Sequence, residues 1–190
     1  MKGGNKMSKG YSGLFHGTLG TTHVNGTQNS PSYSDRGIEI PEHIKQTLSL
    51  LKDKGDMVSG SSDSYPMKDV SIMSKEAHVE FARVTIGNKT YLIRGDKNGV
   101  VIPDKLLKKM AQQGGNLDFH SHPHDNDCIP SIADRRILKH LKEATGQSSS
   151  QIVTPNGRTV TFNENGVLSI NTIPNTINES LKKAYLDLWR

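Results

Sequence analysis

The chain has 190 residues, 33% apolar and 23% charged, with 18 glycines and a formal net charge of +5; that length suits one globular domain with loosely ordered extensions rather than two full domains. A single cysteine, Cys128, excludes an internal disulfide and a thiolate-rich metal cluster, so nitrogen and oxygen must hold any metal. No apolar run reaches the roughly 18 residues that a membrane span needs, and the lysines are spread along the chain rather than gathered into a nucleic-acid-binding run.

Residues 1–36 are rich in Gly, Ser, Thr and Asn and read as a flexible arm or linker, with His16 in YSGLFHGTLG as a loop residue. Residues 37–74 read as a helix and a long connection. Ile40, Ile44, Leu48 and Leu51 recur at helical spacing from Ile40 to Lys54, with Pro41 in the first turn and Gly55 beyond the end. Residues 56–74 have loop composition.

Residues 75–190 carry the core. Strands are expected at Val79–Ile86, Thr90–Arg94 and Gly99–Ile102, then a helix from Pro103-Asp104 through Met110 with Leu106, Leu107 and Met110 inward, stopped by Gly114-Gly115. A short strand, Leu117–His120, precedes a helix over Ser131–Ala144 that offers Ile132, Leu138 and Leu141 for burial. A hairpin follows, Gln151–Thr154 against Arg158–Phe162 around Pro155-Asn156-Gly157. A strand at Val167–Ile170 and a closing helix at Ile177–Trp189 complete a mixed α/β chain.

The chemistry is concentrated in DFHSHPHDNDCIPSIAD, residues 118–134, where three histidines and four aspartates fall together. On an extended strand His120 and His122 point to one side, because side chains alternate. The following turn can return Asp134 as a third ligand. Two imidazole nitrogens and a carboxylate, with a fourth position for water, make the donor set of a catalytic zinc site.

These residues resemble the JAMM motif of the JAB/MPN metallopeptidases: an upstream Glu, His-x-His, then Ser-x-x-Asp. The match runs through His120, His122, Ser131 and Asp134, with one residue more than the family pattern between His122 and Ser131. The resemblance implies a JAB/MPN-like (cytidine-deaminase-like) sheet flanked by helices, Zn2+ on His120, His122 and Asp134, Glu80 as general base with Glu76 as runner-up, and Ser131 holding the oxyanion. It implies hydrolysis of an amide or isopeptide bond in a protein or peptide substrate. EFA at 80–82, YLIRG, HSHP and GQSSSQIV are similar to JAB-like tips of bacterial polymorphic toxins. That likeness implies delivery into a target cell within a larger toxin, which fits the absence of a signal peptide, and a cognate immunity protein as partner; the alternative is a free-standing cytoplasmic protein that begins at Met1.

Each residue also has a plainer reading. Ser131 with Asp134 is a variant capping box, and Glu80 is a polar residue on a half-exposed strand. His124, Asp125 and Asp127 are solvated turn residues, Cys128 a small buried thiol, and His140 part of an outer helix face. The alternatives to a peptide hydrolase are an inactive interaction module with the same fold, which needs no zinc, and a nucleic-acid-directed toxin, which would cleave nucleic acid and bind it in a way that weakens steeply with salt.

Overall fold

The structure, a computed structural model, describes Thr18–Gly20 and residues 32–172. Most of the arm expected over residues 1–36, and the helix expected at Ile177–Trp189, lie outside the described residues. β1 (Thr18–Gly20) is a short strand. α1 (Glu42–Leu50) opens at Pro41 and buries Ile44. It ends before the expected Lys54 because Asp56 Oδ2 accepts from the backbone N–H groups of Lys52 and Asp53, at 2.8 and 2.7 Å, and holds them in a loop.

Residues 56–74 are not the expected loop. They contain β2 (Met57–Ser61) and most of α2 (Met67–Ala77). β2 exposes alternate residues and so carries little apolar signal, while α2 starts after Pro66, has Asp69 in its first turn, and buries Val70 and Met73 one turn apart. Then follow β3 (Phe81–Ile86), β4 (Lys89–Arg94), β5 (Gly99–Val101), α3 (Asp104–Gln113) and β6 (Asn116–Ser121). α4 (Ile132–Thr145), β7 (Ser150–Val153), β8 (Arg158–Asn163) and β9 (Gly166–Thr172) complete the described chain.

Seven strands form one sheet in the order β2-β4-β3-β6-β7-β8-β9, and β1 pairs separately with β5. Neighbours in the large sheet are antiparallel except β6 and β7, which α4 joins as a parallel pair. Alternation divides the side chains between two faces. Phe81, Leu92, Phe119 and Val153 pack with Ile44, Val70 and Met73 of α1 and α2. Ala82, Val84, Ile86, Ile93 and Leu117 pack with Leu106, Leu107 and Met110 of α3 and with Ile137 and Leu141 of α4. The chain is therefore a mixed α/β fold with a sheet flanked by helices, as expected. Among the described residues no helix is long and apolar enough to cross a membrane.

Two local departures bear on the site. Ile132 was expected to be buried but is 58% exposed. The inward stripe of α4 is Asp134, Ile137, Leu138 and Leu141, and Ile132, two residues before Asp134, falls on the other side of the helix. The second is a bulge in β6. Arg83 faces Phe119 and Val84 faces Leu117, which leaves Asp118 as the extra residue. Its carboxylate accepts from Arg83 Nη1 at 2.7 Å and from the Thr85 hydroxyl. The bulge resets the alternation so that His120, opposite Ala82, shares the face of α3 and α4.

Candidate metal centre

The site lies where β3 begins and β6 ends. The pairing of Ala82 with His120, carried two residues outward, puts Glu80 across from His122. Both are held by their backbones. Glu80 N–H donates to Asp96 O at 3.0 Å and Glu80 O accepts from Gly95 N–H at 2.8 Å, while His122 N–H donates to Val153 O at 3.0 Å. Between them, Phe81 N–H donates to the buried Ser121 hydroxyl oxygen at 2.9 Å, which clamps the strand ends together. Phe162 presents its ring edge-on to His120, with centroids 5.9 Å apart.

Glu80, His120 and His122 each offer a ligand atom, all within 4.8 Å of one another, and all three residues are fully buried. They lie close enough to bind a metal ion. The two Nε2 atoms are 3.0 Å apart, and two imidazole nitrogens sharing one tetrahedral zinc sit roughly 3.3 Å apart. Asp134, also fully buried, places Oδ1 3.4 Å from His120 Nε2 and Oδ2 4.0 Å from His122 Nε2. His122 Nδ1 lies 2.7 Å from Asp127 O. A carbonyl only accepts, so Nδ1 carries the hydrogen, and the lone pair of a neutral His122 is on the Nε2 that faces the cluster.

Charge is the main physical problem of this pocket. Burial pushes the Glu80 carboxyl well above the usual carboxylate range, and burial lowers His120. Burial alone would lower His122 as well, but the bond to Asp127 and the charges of Glu80, Asp134 and Asp127 raise it to about 9. Burial would raise Asp134, yet the two histidines and the Ser131 N–H bring it down to about 2. Neither Glu80 oxygen has a hydrogen-bond partner among the described residues, and His120 Nδ1 has none either. A Glu80 carboxyl buried beside Asp134 and two imidazoles with no hydrogen-bond partner is costly unless a further group satisfies it. A divalent ion with a preference for nitrogen and oxygen fits this donor set.

The structure brings Glu80, His120, His122 and Asp134 together. The extra residue between His122 and Ser131 does not keep Asp134 from the histidines. Ser131 is the N-cap of α4: its Oγ accepts from Asp134 N–H at 3.0 Å, and its own N–H donates to Asp134 Oδ2 at 2.6 Å. The capping box and the approach of Asp134 to His120 therefore coexist. Glu76 is outside the cluster and accepts from Ser34 instead. Cys128 is buried, as expected of a small thiol.

Asp127 is not the solvated turn residue expected. It is 8% exposed, and besides its carbonyl it brings Oδ1 to 3.5 Å from His122 Nδ1. Asp125 is likewise drawn in, 3.3 Å from Nζ of the buried Lys75 on α2. Lys75 lies just past the stretch read as loop, so nothing in the sequence paired it with Asp125. No protein-family model, curated protein or solved structure matches this chain.

Proposed function

We propose that this chain is a zinc-dependent hydrolase of peptide or isopeptide bonds, a JAB/MPN-like enzyme. The observation that carries the reading is the meeting of Glu80, His120, His122 and Asp134 in one buried cluster, from three separate segments, with the Glu80 carboxylate unpartnered. His120, His122 and Asp134 would hold the ion. Bound there, zinc supplies Lewis acidity, which acidifies water and polarises a carbonyl. Glu80, anchored by its backbone opposite His122, is the base that takes the proton from water and returns it to the leaving amine. The Ser131 oxygen accepts from Asp134 N–H, which leaves its O–H to donate to the developing oxyanion.

The short segments shared with JAB-like toxin tips support a protein target in a recipient cell, with a cognate immunity protein as partner. A second reading has one observation in its favour: all four cluster residues are 0% exposed. A closed site of that kind suits a structural ion in a catalytically silent interaction module.

The test is metal content and turnover of the wild-type chain beside His122→Ala and Glu80→Gln. The hydrolase reading expects about one zinc in wild type, none in His122→Ala, and full zinc in Glu80→Gln with hydrolysis of isopeptide-linked substrates reduced ~10²–10⁴-fold. Zinc in wild type without any hydrolysis transfers the site to the structural reading. A folded chain that takes up no zinc removes both.

A further inference from the structure

The segment between His122 and Ser131 is one residue longer than the JAMM pattern, and its middle is built into the protein rather than left in solvent. Asp125 is held on two sides. Its carboxylate meets Lys75 Nζ at 3.3 Å, with the lysine 4% exposed, and its carbonyl accepts from Asn156 Nδ2 at 3.0 Å. Two residues later Asp127 turns both its backbone carbonyl and its carboxylate towards one atom, His122 Nδ1, at 2.7 and 3.5 Å. A buried lysine and a buried aspartate are both costly to desolvate. Here they are placed so that the loop can present two oxygens to a single ring nitrogen.

We infer that Asp127 is a positioning residue for metal binding, which fixes the tautomer and ring orientation of His122 so that Nε2 is presented to the ion as a ready lone pair. This inference rests on His122 being a ligand, as proposed above. The physical basis is general. An imidazole that donates one N–H to an oxygen acceptor is locked in rotation and is a better donor at its other nitrogen, and loss of such a partner typically weakens metal binding ~10–100-fold. The backbone carbonyl alone would set the tautomer, and the carboxylate adds negative charge beside the N–H and narrows the ring's rotation.

Two measurements on the 190-residue chain decide it. In the first, zinc affinity is measured by competition with a chelating dye for wild type, Asp127→Ala and Asp127→Asn. Asp127→Ala is expected to bind zinc ~10–100-fold more weakly, and Asp127→Asn, which keeps an oxygen within reach of Nδ1, to recover most of that loss. Thermal melts of the metal-free proteins separate this from misfolding. Equal affinity in all three overturns the inference, as does an equal loss in both variants. In the second, nitrogen-15 NMR of the metal-free wild type, recorded above the His122 value of about 9 so that the ring is neutral, reports the His122 tautomer. Hydrogen on Nδ1 is the expected result, and hydrogen on Nε2 overturns the positioning role. If wild type takes up no zinc at all, the metal reading fails, and the tautomer still decides whether Asp127 sets the ring.

Discussion

Single residues in this site are placed for packing and, on the proposed reading, for chemistry, and substitutions can separate the two. Ser131 is both the N-cap of α4 and the proposed oxyanion donor. Ser131→Ala should cost ~1 kcal/mol of stability in urea unfolding, as loss of a cap does. If its hydroxyl also serves the reaction, turnover should fall ~10²–10³-fold with zinc retained. A variant that loses stability alone would confine Ser131 to the cap. Phe162 is fully buried with its ring edge on His120. Phe162→Ala should destabilise by ~3–5 kcal/mol, the range for a deleted core ring, and urea titration of the metal-free chain measures it. The residue-level motif was legible in the sequence because His120, His122, Ser131 and Asp134 lie close along the chain. Asp127 was not legible. Its burial depends on how the loop is pinned by Lys75 and Asn156, both distant in sequence.

Elements were read best where their apolar pattern is self-contained. The stripe of α3 and the hairpin of β7 and β8 show in composition alone. β2 and α2 do not, because β2 gains its place only by pairing with β4. α2 buries Ser71, Ser74 and Lys75 against the rest of the fold beside its apolar residues, so tertiary contact overrides a polar sequence. The turn after β4 has a tighter requirement. A Cβ on Gly95 would lie 2.2 Å from Gly99 O and 2.8 Å from Val100 Cα, both backbone atoms that cannot swing away. Gly95 N–H also holds the Glu80 carbonyl. Gly95→Ala should therefore cost ~1–3 kcal/mol of overpacking strain and displace the backbone of Glu80. The expected signature is hydrolysis lost more than zinc affinity, measured on the same preparation. Equal loss of both would mean that the turn supports the whole pocket rather than Glu80.

At the scale of the whole molecule, none of Glu80, His120, His122 and Asp134 belongs to the apolar clusters that hold the layers together, although Phe162 of the smallest cluster packs on His120. The chain should therefore stay folded without metal. Zinc at 100 times its dissociation constant should add ~2.7 kcal/mol, which for a chain of this size is a rise in Tm of roughly 5–11 °C. Differential scanning with and without a chelator checks this. Unfolding on chelation would show instead that the ion is part of the core. The α/β class was legible from the mixture of strand and helix patterns. The strand order was not, since nothing in β6 or β7 states that they pair in parallel.

That parallel pair gives the site a place in time. β6 and β7 can meet only after α4 has crossed between them, and β3 can meet β6 only across β4, β5 and α3, so each contact must close a long loop before it gains anything. The cluster residues ride on these late seams: Glu80 and His122 face each other where β3 begins and β6 ends, and Asp134 arrives with the crossover itself. During refolding from urea in the presence of zinc, uptake of the ion should trail the return of helical circular dichroism and keep pace with the slowest phase. Uptake as fast as the helical signal would mean that the His120–Asp134 stretch captures metal on its own, before the sheet exists to hold it.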